Sequence, residues 1–207
     1  MKNHRARYSP DWYPYPGPLT TIGKREARLG FSVVMNEVDV RIDRFCNFLN
    51  SVTGSRISQT SSVSDLGPVP GLIASIGDKT YMSSDKYEDL LLQIPDEIRS
   101  VVIDKVHNWT PNDEACALCF DGGLLWGEAF RKKYTGTSWN LSRGSKFSPD
   151  RNYPVVVGRH EWREFNPIRE LLNMVIALMA KQDELWSIEA MSLTRARMLQ
   201  VDSEVGA

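Results

Sequence analysis

Residues 24–50 read KREARLGFSVVMNEVDVRIDRFCNFLN, and their spacing decides the fold class. Phe31, Met35, Val38, Ile42, Phe45 and Leu49 recur at alternating intervals of four and three residues. Glu37, Asp39, Arg41, Asp43 and Arg44 fill the positions between them. An apolar stripe with a period near 3.5 residues marks a helix packed lengthwise on others. It lasts about two and a half heptads, too short for a free-standing coiled coil. The stretch therefore predicts one member of a helical bundle.

Downstream, residues 51–71 are rich in Ser and Thr and end in Gly67-Pro68-Val69-Pro70-Gly71, a loop by composition. Asp85 suits the cap of a short helix carrying Tyr87, Leu90, Leu91 and Ile94. Pro95 suits the first turn of the next, whose face is Ile98, Val102, Val106 and Trp109. Thr110-Pro111-Asn112-Asp113 is a start signal, with a hydroxyl cap, proline at the first position and an acid in the first turn. The helix it opens runs to Phe120 and meets Gly122-Gly123. A second helical stretch, Leu124 to Tyr134, ends on Arg131, Lys132 and Lys133. Residues 135–166 have no helical period, but Val155–Val157 and Trp162–Phe165 flank Gly158-Arg159-His160 as a short hairpin within 153–165. Asn166-Pro167 then caps a helix with Ile168, Leu171, Leu172, Val175, Ile176 and Met179 on its apolar face, extending toward Gln200. The expected fold is mainly α, a bundle of about four to five helices. It forms a single domain over 24–207, with irregular insertions at 51–84 and 135–166.

Upstream, residues 8–18 read YSPDWYPYPGP. Proline fixes φ and removes backbone donors, so residues 1–23 are expected to form an extended arm. Trp12, Tyr13 and Tyr15 would then lie on a surface, of the same subunit or of a neighbour. The basic start is followed by no apolar run, so no secretory signal is expected. The longest apolar stretch falls well short of the ~18 residues that span a bilayer. The expected location is cytoplasmic or within a virion, without a membrane partner. Cys46, Cys116 and Cys119 suit a reducing compartment.

The chain has 207 residues with a net charge of −1, which argues against a protein that coats nucleic acid indiscriminately. That charge is unevenly spread. Residues 1–30 hold six basic and two acidic side chains, and 31–130 hold seven and fifteen. Residues 131–169 hold nine and three, and 170–207 three and six. Such segregation suits basic loops neutralising acidic helices within a subunit, or opposite faces meeting between subunits.

Signatures of catalysis are missing from the sequence: no phosphate loop, no dinucleotide fingerprint, no nucleophile elbow and no HExxH. Cys116-Ala117-Leu118-Cys119 has the spacing of a zinc half-site, with His107 and His160 as the remaining candidates. Leu118 and Phe120 beside it favour ordinary core thiols. Neither enzyme activity, metal nor cofactor is expected.

Residues 96–134 carry a helix, then Thr110 to Ala115, Leu118 and Phe120-Asp121, then a helix with Leu125 and Arg131. This arrangement resembles the helix-turn-helix of sigma-type regulators, although Glu114 stands where an apolar residue is usual. The resemblance implies a capped helix entering the DNA major groove. The basic stretch 131–169 interleaves Arg143, Lys146, Arg151, Arg159 and Arg163 with Trp139, Phe147, Tyr153, Trp162 and Phe165. Arginines beside aromatics serve protein interfaces and stacking on bases alike.

The leading expectation is a non-enzymatic assembly subunit, such as a coat, connector or neck protein of a viral or phage particle. It would bind copies of itself or other subunits through Trp12, Tyr13, Tyr15, Trp139, Arg143, Phe147, Arg151, Tyr153, Arg159, Trp162 and Arg163. The alternative is a nucleic-acid-binding regulator using residues 96–134, or Arg131, Lys132, Lys133, Arg143 and Lys146.

Overall fold

A computed structural model describes residues 7–9, 21–103, 106–145, 148, 150–160, 163–182 and 187–201. Trp12, Tyr13, Tyr15, Lys146, Phe147 and Trp162 lie outside the described residues. The chain is mainly helical with two small antiparallel sheets. Its elements in order are α1 (Lys24–Asn36), α2 (Val38–Thr53), α3 (Val69–Ile76), β1 (Lys79–Tyr81), α4 (Ser84–Leu92), α5 (Asp96–Val102) and β2 (Trp109–Pro111). Then follow α6 (Asp113–Lys133), β3 (Ser138–Leu141), β4 (Pro154–Val157), β5 (Glu164–Phe165), α7 (Pro167–Met179) and α8 (Ile188–Leu199).

Helix α6 is the axis of the fold. Every residue from Ala117 to Gly127 is buried, the mark of a helix enclosed on all sides. Helices α2, α3 and α7 pack on it, and α3 also packs on α7. Gly122-Gly123 does not break this helix. At Gly123 a Cβ atom would lie 2.4 Å from Ile168 Cα, and at Gly127 it would lie 2.2 Å from the Trp139 ring. Small residues here let the start of α7 and the β3 tryptophan approach the α6 backbone. The expected pair of helices around Gly122-Gly123 is thus one continuous helix. It offers no separate, exposed reading helix of the helix-turn-helix kind.

The cap of α6 is Asn112, whose Oδ1 accepts from the Ala115 amide at 2.9 Å. Thr110 and Pro111 belong instead to β2, paired with β1 in the register Lys79↔Pro111 and Tyr81↔Trp109. The stretch 24–50 is two helices rather than one, parted at Glu37 (φ −107°, ψ 5°). Ile42, Phe45 and Leu49 enter the core, while Phe31, Met35 and Val38 are half-buried. The insertion 51–84 is not all loop. It contains α3, with Pro70 in its first turn and Val69, Ile73 and Ile76 buried.

The segment 167–200 is likewise two helices. Lys181 takes a left-handed conformation (φ 58°) after α7, and Ser187 Oγ accepts from the Ala190 amide at 3.1 Å to start α8. The expected hairpin exists as β4 and β5, with Val156 opposite Phe165. It is widened by β3 into a sheet of order β3-β4-β5, in which all of β4 is buried. The indole of Trp126 on α6 donates to Ser192 Oγ of α8 at 2.8 Å, tying the last helix to the axis. Among the described residues no helix is long and apolar enough to cross a membrane.

Candidate interaction site

Two surfaces stand out from this core, and they differ in charge. The first is a cleft of about 420 Å³ between α1 and the loops at the ends of β3 and β4. Lys24, Arg28, Arg143 and Arg151 line it together with Asn140, Ser142 and Asn152. Lys24 and Arg28 stand one turn apart and so share a face of α1. Glu26 Oε2 accepts from the Gly23 amide at 3.0 Å and fixes the start of that helix. Buried Asn152, with φ 64°, donates from Nδ2 to the Ile22 carbonyl at 3.1 Å, joining the far wall to α1. Glu164 accepts from Ser142 Oγ at 2.6 Å and from the Arg143 amide at 2.8 Å, which sets the loop that presents Arg143. No carboxylate is among the lining residues, and no described carboxylate lies within ion-pair distance of Lys24, Arg28 or Arg151.

The second surface is an arm. Strands β1 and β2 form its stem, extended by the Met82 amide donating to the Asn108 carbonyl at 2.8 Å. Lys79 Nζ sits 4.2 Å over the Trp109 ring, and His107 stacks on the same indole at 4.9 Å. Beyond the stem, α4 has no buried residue, and neither α4 nor α5 packs extensively on another described element. Ser83 Oγ, not Asp85, caps α4 by accepting from the Lys86 amide at 3.4 Å. The Tyr87 hydroxyl donates to the Val106 carbonyl at 3.1 Å, closing the arm on itself. Leu90 and Leu92 remain exposed, Leu92 at 73%. Helices α4 and α5 carry five acids, Asp85, Glu88, Asp89, Asp96 and Glu97, against Lys86 and Arg99. Among these acids Asp96 has a partner among the described residues, Arg99 at 2.7 Å.

The sequence pointed to Arg143 and Arg151, and the structure brings them together with Lys24 and Arg28. It uses several other expected residues within the subunit. Trp139 is half-buried over Gly127 and donates from Nε1 to Glu128 Oε1 at 2.6 Å. Arg163 donates to the Met198 carbonyl at 2.7 Å. Tyr153 is half-buried against the core, and loss of hydration raises its hydroxyl above the ordinary tyrosine range. Arg131 pairs with Glu128 at 2.8 Å, Lys132 donates to the Gln59 carbonyl at 2.9 Å, and Lys133 lies 5.7 Å over the Tyr134 ring. Arg159 is exposed and is not among the residues that line the cleft. Cys119 is buried, which pushes its thiol well above the ordinary value, and Cys116 Sγ points at the Pro111 carbonyl at 3.7 Å. Among the described residues no group of three or more His, Cys, Asp or Glu is placed to hold a metal ion.

Tyr8, far up the N-terminal segment, enters the core, and no local signal announced it. Tyr8 is buried; its hydroxyl donates to Asp121 Oδ2, and its amide donates to Glu114 Oε1 at 2.7 Å. Asp121 is fully buried on α6 and also meets Arg41 at 3.3 Å and Arg44 at 3.2 Å. Burial raises the Asp121 carboxyl above its ordinary value, while Tyr8, Arg41 and Arg44 pull it down. A buried charge needs such partners to be tolerated. The cluster therefore clamps the segment before the proline arm onto α2 and α6.

The chain matches no family model, no curated protein and no solved structure.

Proposed function

We propose that this protein is a non-enzymatic assembly subunit that works by docking other protein chains. A coat, connector or neck subunit of a particle is one concrete form of that role. The observation that supports it is the arm 79–111, where Tyr81, Leu92 and, in part, Leu90 and Ile103 are left exposed and where neither α4 nor α5 packs extensively on another described element. Leaving Leu92, 73% exposed, in water forgoes much of the roughly 1.5–3 kcal/mol that full burial of a leucine supplies, and partly covered Leu90 forgoes less. Exposed large apolar side chains grouped on one arm are the kind of feature that marks interaction sites on soluble proteins.

The test is Leu90→Ser with Leu92→Ser. The variant should keep its melting temperature to within about 2 °C, since exposed positions contribute little to stability, and should bind less of a hydrophobic dye. A fall of ten degrees or more would show that the leucines hold the subunit itself together, and would sink the docking reading. The cleft of Lys24, Arg28, Arg143 and Arg151 supports a second reading, contact with phosphates. Absorbance at 260 and 280 nm of the purified protein, at low and high salt, separates it from protein docking.

A further inference from the structure

Eight large apolar side chains are prominently exposed among the described residues, and seven of them fall into two groups. Leu29, Val33 and Val40 lie on α1 and the start of α2. Tyr81, Leu90, Leu92 and Ile103 lie on the arm. Leu29 and Val33 are one turn apart, so they form a stripe along α1. Arg25 continues that stripe, and Lys24 and Arg28 run beside it into the basic cleft. On the arm, Leu90 and Leu92 are bordered by Asp85, Glu88 and Asp89, all exposed. Acids also flank the α1 stripe, at Glu26 and Glu37, and Lys86 stands one turn before Leu90. Yet the cleft at the head of the stripe is lined by basic residues without a carboxylate, while α4 and α5 carry five acids against two bases. The net charges beside the two apolar groups are opposite.

The unpaired charges match as well. Lys24, Arg28 and Arg151 on one side, and Asp85, Glu88, Asp89 and Glu97 on the other, have no ion-pair partner among the described residues. Neither α4 nor α5 packs extensively on α1 within the subunit. From this we infer that the acidic, leucine-bearing arm of one copy docks on the α1 stripe and basic cleft of a second copy. This inference rests on the docking reading above and names the partner. The two patches are different surfaces, so the contact is heterologous and joins copies head to tail, into a ring or an open chain. Opposite net charges set partner and register, while the buried leucines hold the contact.

The test uses the full chain in two charge-reversed forms. Arg28→Glu with Arg143→Glu spoils the cleft, and Glu88→Lys with Asp89→Lys spoils the arm; all four positions are exposed. In light scattering at low salt the wild type should rise in mass with concentration and fall back toward 23.5 kDa in about 0.5 M salt, where screening is strong. Each variant alone should stay monomeric. An equimolar mixture pairs an intact arm with an intact cleft, and the reversed arm and reversed cleft are of opposite sign too, so it should regain the assembly that each variant alone has lost. A wild type that stays monomeric at several hundred micromolar overturns the inference. So do a variant that still assembles, a mixture that stays monomeric, and a cleft found loaded with nucleic acid. Circular dichroism of each variant checks folding, and the wild-type result decides the matter even if one variant misfolds. If the wild type is monomeric while Leu90→Ser with Leu92→Ser leaves stability unchanged, head-to-tail docking fails and the docking reading stands. If those leucine changes unfold the protein, the docking reading itself fails.

Discussion

Replacing Gly123 by alanine should destabilise this protein, although the same change in most helices stabilises. Alanine in a helix interior is favoured over glycine by about 1 kcal/mol. Against that, the new methyl would sit 2.4 Å from Ile168 Cα and 2.8 Å from Ile168 N. Carbon atoms in contact prefer about 3.5–4.0 Å, so the shortfall at Ile168 Cα exceeds roughly 1 Å. Both atoms are backbone, at the first turn of α7, and no side-chain rotation relieves them. Overpacking costs about 1–3 kcal/mol where neighbours can adjust, and the rigid contact puts this site at the upper end. The net loss is then about 2 kcal/mol, or roughly 4–8 °C in melting temperature for a chain of this size.

Gly71→Ala is the matched control. It lies in α3, and nothing stands within 4 Å of where its Cβ would be. That variant should gain about 0.4–1 kcal/mol through the unfolded chain and helix propensity. Thermal melts followed by far-UV circular dichroism would measure both, with urea titrations to check that the m-value is constant. Because the obstructing atom is Ile168 Cα, adding Ile168→Ala should restore little of the loss. A Gly123→Ala protein as stable as the wild type would refute the close α6–α7 approach on which this fold is built.

Two other substitutions probe the buried polar groups. Tyr8→Phe removes a hydroxyl donated to a carboxylate and should cost about 1.5–3 kcal/mol at neutral pH. Burial first, and Asp121 second, hold the Tyr8 hydroxyl far above its ordinary value of 10.0. A value raised in the folded state gives stability that is complete below about pH 10 and lost as pH rises further. Wild type should therefore weaken more steeply than Tyr8→Phe in alkali, and parallel alkaline melts would argue against a buried Tyr8. Ser192→Ala orphans the buried Trp126 indole N–H and should cost about 1–3 kcal/mol. Trp126→Phe with Ser192→Ala should cost less than the two single changes added, as a double-mutant cycle in denaturant would show.

What the sequence disclosed and what it hid divide along physical lines. Short-range chemistry was legible: the α2 stripe through Ile42, Phe45 and Leu49, the cap at Asn166, and the β4–β5 hairpin. Features set by distant neighbours were not. Gly122-Gly123 looks like a helix break because local propensity says so, and only contact with α7 explains why glycine stands at 123. Thr110-Pro111 looks like a cap until β1, thirty residues upstream, is found beside it. Tyr8 gave no sign of its burial, because its partners Glu114 and Asp121 are 106 and 113 residues away. Of the basic cleft, Arg143 and Arg151 were legible as arginines in an irregular basic stretch. Lys24 and Arg28 carried no such signal; the Asn152–Ile22 bond and the packing of α1 against β3 bring them beside those arginines.

The near-zero net charge conceals a polar molecule, and this bears on how it would assemble. Counted over the whole chain, charges nearly cancel, which by itself promotes association of any kind. Cancellation within ion pairs would leave little to direct that association. Here most internal pairs use other residues: Arg41 and Arg44 serve Asp121, Arg169 serves Asp150, and Arg195 serves Glu170, with Asp96–Arg99 the pair on the arm among the described residues. Lys24, Arg28 and Arg151 at the cleft and Asp85, Glu88, Asp89 and Glu97 on the arm have no ion-pair partner among the described residues, and exposed leucine or valine lies on the same elements. Copies meeting cleft to cleft or arm to arm would oppose like charges around an apolar centre, which is costly. Copies meeting arm to cleft oppose unlike charges around the same kind of centre. In the contact proposed above, the charge pattern would select orientation while the apolar groups would supply adhesion. Salt should therefore blur the orientation before it abolishes contact, and intermediate ionic strength should yield a wider spread of assembled sizes than low.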